Sequence, residues 1–503
     1  MKFIIETISL FSALIMLMFS LSQAWLALYY QRSKTIRGHT PVLKNWEGPL
    51  PRILVQLPIY NELYVVERLL QAVSRLDYPR NLLTVQLLDD STDETSAIAA
   101  NAIAKLAHGG IKIDHIRRVD RTGYKAGALQ SGLKVDDSEF VTIFDADFIP
   151  NSDFLKKIIG YFGNPKVGMV QTRWEHLNEN YSILTKLLSF AIDAHFSVEQ
   201  GGRQAADGFI NFNGTAGMWR RKTIEEAGGW QDDCLTEDLD LSFRAQLKGW
   251  QFLFVEEIGT PSELPAQMSA IRTQQFRWTK GAAETGRKTL VRLWSSQYPL
   301  LTKIVGSFHM LNSFVFPFLL LLSLSLLLFP AIYGTEAAAY FTPINIMMGT
   351  SLIAIMFTYW TAHYYGQFVS SKKSTPSILL RAFLFIVMVN GLSVHNGLAV
   401  IQGLVGRTTP FVRTPKMNVV APGEKLAQKA AYRPKPFSLQ YTFEMCLALL
   451  FLGAAVYSFT IGLYALIPAY VFFACAYSMV TYFTVQEMRA NYEASRGTLV
   501  FKS

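Results

Sequence analysis

Asp145 and Asp147 stand one residue apart at the end of a short apolar run, Phe140 to Phe144, that reads as a buried strand. Side chains alternate along a strand, so the two carboxylates point the same way. Two anions on one side repel unless something positive lies between them. A hard divalent cation answers that need, since Mg2+ takes one or two carboxylates and shares its other positions with substrate phosphates. A lone Asp-x-Asp is more often two solvated loop aspartates, so the company this pair keeps decides its meaning. Polar clusters also follow two other apolar runs, as Tyr60-Asn61-Glu62 and Asp89-Asp90-Ser91. Carboxylates gather again in Cys234-Leu235-Thr236-Glu237-Asp238-Leu239-Asp240, which opens a helical pattern running to Lys248. Thr236 can cap that helix, and acids in its first turn suit the helix dipole. Further on, Gln274-Gln275-Phe276-Arg277-Trp278 lies on an amphipathic stretch, where Trp and Arg also serve as interfacial anchors.

The elements that position these residues alternate in type. From about Pro51 to Trp294, the runs Ile53 to Leu57, Leu82 to Leu88, Ile111 to Ile116 and Phe140 to Phe144 read as strands. Between them, Glu62 to Arg75, Asp93 to Leu106 and Lys125 to Leu133 read as helices. This alternation predicts a parallel sheet with helices on both faces, and ligands bind beyond the carboxyl ends of its strands. The polar clusters fall at those ends, which predicts one concave site. No glycine fingerprint follows the first strand, and that argues against a dinucleotide cofactor.

The remainder is membrane-like. The 503 residues are 50% hydrophobic and 17% charged, and the mean hydropathy is +0.21. That balance points to a polytopic membrane protein with a sizeable soluble part. The formal charge of +9 reflects Lys and Arg in cytoplasmic loops, since no Arg-rich stripe or stacking platform for nucleic acid is present. Cys234, Cys446 and Cys475 have no metal or pairing spacing, which fits a reducing compartment, with Cys234 as a packed residue. Phe3 to Tyr30 is long enough to span a bilayer, and Gln31-Arg32-Ser33-Lys34 places the next segment in the cytoplasm. Ser22-Gln23-Ala24 has the form of a signal-peptidase site, but the apolar run continues past it, so an uncleaved first span (1–31) is expected. Phe308 to Tyr333 and Ile344 to Tyr365 read as two spans, and Phe443 to Phe483 as two more with a turn near Gly462 to Pro468. Leu379 to Leu404 is different. Crossing would place Arg407, Arg413, Lys416, Lys425, Lys429, Arg433 and Lys435 outside, against the positive-inside bias. It is therefore expected to lie at, or re-enter from, the cytoplasmic interface. The expected result is five spans, amino end outside, with a short cytoplasmic tail (485–503), in an inner, plasma or Golgi-type membrane.

Together the clusters resemble the family 2 glycosyltransferases, above all the cellulose-synthase-like branch that includes plant mannan synthases. The blocks run in order from Val55 to Gly281: Val55-Gln56-Leu57-Pro58-Ile59-Tyr60-Asn61-Glu62, Leu88-Asp89-Asp90-Ser91-Thr92-Asp93, Tyr124-Lys125-Ala126-Gly127-Ala128-Leu129, Phe144-Asp145-Ala146-Asp147, Phe212-Asn213-Gly214-Thr215-Ala216-Gly217, Thr236-Glu237-Asp238 and Gln274-Gln275-Phe276-Arg277-Trp278. Phe411-Val412-Arg413-Thr414-Pro415-Lys416 looks like the gating loop of cellulose synthases, with Arg413 where they usually carry valine.

The resemblance implies a GT-A-like cytoplasmic domain at 32–294, interface helices to about 307, and an interface helix plus gating-like loop at 378–441. It implies that Asp89 and Asp90 hold the base and ribose of a nucleotide sugar, UDP-glucose or GDP-mannose, with Tyr60 and Glu62 nearby. Asp145 and Asp147 would bind Mg2+ or Mn2+, and Lys125 and Arg277 would add positive charge at the diphosphate. Asp238 would be the general base of an inverting hexosyl transfer. Trp278 would stack on the acceptor sugar, with Asn213, Gly214, Thr236, Glu237 and Gln274 on the acceptor side. Phe411, Thr414 and Lys416 would form the gate. The implied product is a growing β-linked glycan, most simply β-1,4, which could leave between the spans. Two other readings stand beside it: a synthase adding one hexose to a membrane lipid, and a non-catalytic membrane protein that binds nucleotide sugar.

Overall fold

The computed structural model describes residues 2–35, 46, 48–107, 111–366, 374–421, 424 and 439–500. The four expected strands are present as β1 (Ile53–Ile59), β2 (Leu83–Asp89), β3 (Ile113–Arg117) and β4 (Phe140–Ile143). The sheet has three more strands that the sequence pattern did not disclose: β5 (Val167–His176), β6 (Gly217–Arg220) and β7 (Gln251–Ser262). All seven form one sheet in the order β3-β2-β1-β4-β6-β5-β7. Only β6 runs antiparallel to its neighbours; β1 pairs parallel with β2 and β4, and β5 with β7. The fold is therefore α/β with a mostly parallel, GT-A-like sheet.

Both faces of the sheet are covered, because its strands are apolar on both sides. Ile53, Val55, Leu57 and Ile59 pack with Val66, Leu69 and Leu70 in one core, while Leu54 faces Leu129 and Ile143 in another. The covering helices begin with α1 (Lys2–Thr35), α2 (Val66–Ser74), α3 (Thr95–Ala107), α4 (Tyr124–Leu133), α5 (Phe154–Ile159), α6 (Ile183–Ala194) and α7 (Gly202–Ala205). They continue with α8 (Arg221–Glu226), α9 (Glu237–Leu247), α10 (Met268–Trp294) and α11 (Leu300–Met310). The last are α12 (Val315–Tyr333), α13 (Ala337–Tyr365), α14 (Thr375–Gly391), α15 (Ser393–Leu404), α16 (Leu439–Thr460) and α17 (Ile467–Val500). Chain order reverses at β1, with β2 on one side and β4 on the other. In open α/β sheets the ligand crevice opens at such a point, outside the carboxyl ends of the strands.

Among the described residues, five helices are long and apolar enough to cross a membrane: Lys2–Thr35, Asn312–Tyr333, Ala337–Tyr365, Leu439–Thr460 and Tyr464–Glu493. The stretch expected from Leu379 to Leu404 is two helices, α14 and α15, bent by 57° at their junction. The second lies on α10: His395 Nε2 donates to the Arg272 carbonyl at 2.9 Å, and a Cβ on Gly403 would meet the Lys280 carbonyl. Two boundaries differ from expectation. The stretch beginning at Phe308 is interrupted after Met310, where a short turn at Asn312–Phe314 separates α11 from α12. The expected tail after Phe483 continues α17, and Glu487 accepts hydrogen bonds from the Ser269 backbone and hydroxyl. Of the basic cluster after α15, Lys425, Lys429, Arg433 and Lys435 lie outside the described residues.

Apolar helices and sheet domain are joined by buried polar contacts. Tyr30 donates to Glu256 at 2.8 Å, Lys34 pairs with Glu256 at 2.5 Å, and His363 donates to the Phe190 carbonyl at 2.9 Å. Arg272 of α10 forms a two-pronged pair with Glu444 of α16. Directional bonds of this kind fix the orientation of the domain on the helices, which apolar packing alone does not.

Candidate active site

An open cavity, about 1240 Å³ with the solvent at its mouth included, lies at the carboxyl ends of β1 and β4. Four distant stretches of chain meet there: Tyr60 and Glu62 after β1, Asp145 and Asp147 after β4, Glu237 and Asp238 at the start of α9, and Gln274, Arg277 and Trp278 on α10. Asp90, Lys125, Asn213, Gly214, Thr236, Phe411, Thr414 and Lys416 also line it. Of the residues to which the resemblance gave a role at the site, Asp89 is the one missing from the wall. Its carboxylate is buried and turned into the fold, accepting from the Ser91 backbone at 2.8 Å, Ser96 at 2.6 Å and His115 at 2.9 Å. Burial alone would raise its pKa, but those hydrogen bonds hold it at about 2. Asp89 thus lies off the cavity wall, and its ionised carboxylate shapes the turn after β2. Strand alternation is the cause, since successive side chains face opposite ways.

Two glycines let the carboxylate-bearing elements approach. Gly214 has φ +80, and a Cβ there would sit 3.0 Å from Asp238 Oδ2. A Cβ on Gly281 would run into Thr236, at 2.5 Å from its Cγ2, so α10 can lie on the start of α9 only with glycine there. Thr236 stands at the N-cap position, but its side chain does not cap; the hydroxyl instead faces Thr285 at 3.4 Å. Asp240 has the structural role open to it from sequence, paired with Arg244 at 2.7 Å and Lys288 at 3.0 Å. Burial pushes the Cys234 thiol up to about 12, as befits a packed, inert side chain. Asn61, Tyr124, Ala216 and Asn418 adopt left-handed backbone around the site. Such residues cost on the order of 1–3 kcal/mol each and persist where the surrounding structure over-determines them.

Several charges in the cavity are paired. Lys125 Nζ lies 2.6 Å from Asp145 and donates to the Gly214 carbonyl at 2.9 Å. Lys416 donates to Asp147 at 2.7 Å, and Arg413 to Glu62 at 2.8 Å. Arg277 donates to Thr414 at 3.1 Å and lies over the Phe411 ring at 4.6 Å. Arg413 therefore holds the 411–418 segment to the end of β1. Met417 N donates to Glu263 at 2.8 Å, and Arg68 to Asn418 at 2.5 Å, so the segment straps across the cavity. Burial, and then the adjacent Glu237 charge, push Asp238 up to about 7 against the pull of Lys125.

Sequence reading passed over Arg118, Arg121 and Glu263. Arg118 grips both oxygens of Asp90, Arg121 lines the cavity, and Glu263 anchors the strap. Applied to β3, the strand-end rule leads to Arg117-Arg118-Val119-Asp120-Arg121. Glu263 carried no comparable signal, because β7 was not legible.

The family described as glycosyltransferase like family 2 matches residues 51–281, the span that builds this cavity. A probable glucomannan 4-beta-mannosyltransferase 15 of Arabidopsis thaliana is 33% identical over 82% of this chain and 75% of its own. The chain belongs to the family 2 glycosyltransferases. A glucomannan 4-beta-mannosyltransferase 1 of Cyamopsis tetragonoloba is 34% identical over 86% of this chain and 82% of its own. Among solved structures, a mannosyltransferase from Pyrobaculum calidifontis in complex with GDP-Man and Mn2+ superposes with a TM-score of 0.52 at 19% identity. It covers 76% of this chain and 98% of that one, and at that identity the likeness concerns the fold. The mannan-synthase-like branch is thus the one this transferase resembles over most of its length.

Among the described residues no group of three or more His, Cys, Asp or Glu side chains is placed to hold a metal. Asp145 and Asp147 are a two-carboxylate set of hard oxygen donors on one cavity, each balanced by a lysine. That set fits a cation whose remaining positions are filled by substrate phosphate and water.

Proposed function

We propose that this family 2 transferase extends a β-1,4-linked glycan by inverting transfer of mannose from a nucleotide sugar. The observation that carries the reading is the convergence of Asp145, Asp147 and Asp238 with Lys125 and Arg277 on one cavity. The sugar is argued from the relatives, whose names describe glucomannan 4-beta-mannosyltransferases. Asp238 takes the proton of the acceptor hydroxyl as that oxygen attacks the anomeric carbon. The bond from that carbon to the donor phosphate breaks on the opposite face, so an α-linked donor gives a β-linked product. Lys125 and Arg277 offset charge on the departing diphosphate. A divalent cation held by Asp145 and Asp147 would add Lewis-acid stabilisation of that leaving group. Trp278 offers a partly exposed ring on which a sugar face can stack. The soluble domain is taken as cytoplasmic, with five spans and the bent α14–α15 pair at the interface, in keeping with the basic residues after α15.

Sizing of products decides between polymer and lipid acceptors. Membranes carrying the protein, given radiolabelled GDP-mannose, are expected to yield long chains that endo-β-mannanase degrades. A product that stops at one hexose on an extractable lipid would replace this reading with a glycolipid synthase. Absence of turnover with any labelled nucleotide sugar would leave only the binding role.

The protonation of Asp238 gives a second test. The carboxyl is a base only when ionised, and its pKa is raised to about 7. Transfer is therefore expected to fall as pH drops through about 7 and to level off above it. A kcat/KM that stays flat down to roughly pH 5 would remove Asp238 from the role.

A further inference from the structure

One arginine on the cavity wall stands apart from the matched charges. Arg121 follows β3 and lies over the Tyr60 ring, 3.3 Å from its centroid, and 5.0 Å from that of Tyr124. Among the described residues its side chain makes no hydrogen bond and no ion pair, and its buried Nε has no partner. Three other cations of the cavity contrast with it, Lys125 on Asp145, Arg413 on Glu62 and Lys416 on Asp147, while Arg277 donates to the Thr414 hydroxyl. Asp90, the carboxylate whose charge acts on Arg121, is already gripped by Arg118. A guanidinium carries five N–H donors and no acceptor, and desolvating donors unpaired is costly. Its place on a ligand cavity calls for acceptors that the ligand brings.

The surroundings say which part of the ligand. Lys125 and Arg277 sit in the field of Asp145, Glu237 and Asp238, where diphosphate and sugar would react. Arg121 instead sits in the field of Tyr60, Asp90, Tyr124 and Arg118. One face of its guanidinium lies on Tyr60, so recognition falls to its edge, a planar fork of donors. Such a fork matches two acceptors side by side in one plane. Guanine offers that pair in O6 and N7; in uracil each carbonyl is flanked by N–H or C–H, and no pair exists.

We propose that Arg121 reads the nucleobase of the donor, pairing the edge of its guanidinium with O6 and N7 of guanine and so favouring guanosine over uridine diphosphate sugars. The inference rests on the donor-cavity reading above. Its test is calorimetric titration of the full-length protein in nanodiscs with Mg2+ and GDP, UDP or 7-deaza-GDP, which keeps the shape of guanine but lacks N7. Wild type is expected to bind GDP about 10- to 100-fold more tightly than UDP. Arg121→Ala is expected to lose most of that preference by weakening GDP alone, and Arg121→Lys, a point charge without the fork, to restore little of it. 7-Deaza-GDP is expected to bind wild type more weakly than GDP, and to bind Arg121→Ala the same as GDP. If Arg121→Ala does not fold, the wild-type comparison of GDP with 7-deaza-GDP decides alone. Equal losses of GDP and UDP in Arg121→Ala, or no effect of removing N7 in wild type, would overturn base reading and leave the transferase intact. Failure of wild type to bind any nucleoside diphosphate would instead overturn the donor cavity itself.

Discussion

Replacing Asp238 with asparagine is expected to reduce sugar transfer by about 10²–10⁴-fold, the usual contribution of a positioned base, while nucleotide binding persists. Asparagine keeps the size of the side chain and the oxygen that accepts from Leu239 N at 2.8 Å. It cannot take a proton at neutral pH. The carboxylate is buried beside Glu237 and within the field of Lys125, so the substitution also removes one negative charge from a cavity that receives an anionic donor. Donor affinity is then expected to hold or improve slightly, and the loss to fall on kcat. Single-turnover transfer and nucleotide titration on the same preparation separate the two effects. Full turnover by Asp238→Asn would assign the base elsewhere, and a matching loss of donor binding would make Asp238 a binding residue.

The largest effect on stability is expected at Glu444. It is fully buried on α16 and meets Arg272 of α10 through both carboxylate oxygens. Removing one partner of a buried pair leaves the other charge uncompensated, at roughly 3–5 kcal/mol. Arg272 would retain the Tyr441 ring, 4.8 Å away, and the more distant field of Glu487, far weaker partners. Glu444→Ala is therefore expected to lower the melting temperature of the detergent-solubilised protein sharply and to broaden its gel-filtration peak. The double change Arg272→Met with Glu444→Met is expected to recover much of that loss, because two apolar side chains of similar volume carry no desolvation penalty. Wild-type melting by Glu444→Ala would show that this pair adds little to the joining of domain and helices. Since α10 also carries Arg277 and Trp278, partial activity at low temperature would report how far the site depends on this anchor.

Local chemistry made a large part of the molecule legible in advance. Strands β1, β2 and β4 are short, mostly apolar runs ended by polar residues, β3 mixes apolar with polar residues, and their intervening helices show a period that needs no partner to be seen. The same locality exposed Asp145, Asp147, Asp238 and Trp278, because each lies in a short block that keeps its character wherever the chain goes. The apolar helices were equally plain, since twenty apolar residues have few other uses. Strands β5 to β7 were hidden. Gly217 to Arg220 is only four residues long, and Gln251 to Ser262 mixes Glu, Gly and Pro into a strand that its neighbour β5 stabilises.

Tertiary structure alone decided how the charges pair. Asp89 and Asp90 are adjacent and alike in sequence, yet one is committed to the β2 turn and the other faces the cavity. Glu62 and Arg413 are 351 residues apart, and Lys416 and Asp147 are 269 apart. No local pattern encodes such partners, for they exist only once the strap lies across the sheet. The sequence determined which chemistry the chain carries. Packing determined which cations of the cavity meet a carboxylate and that Arg121, among the described residues, lines the cavity without one, because coulombic and hydrogen-bond energies depend on distances that only the folded chain sets.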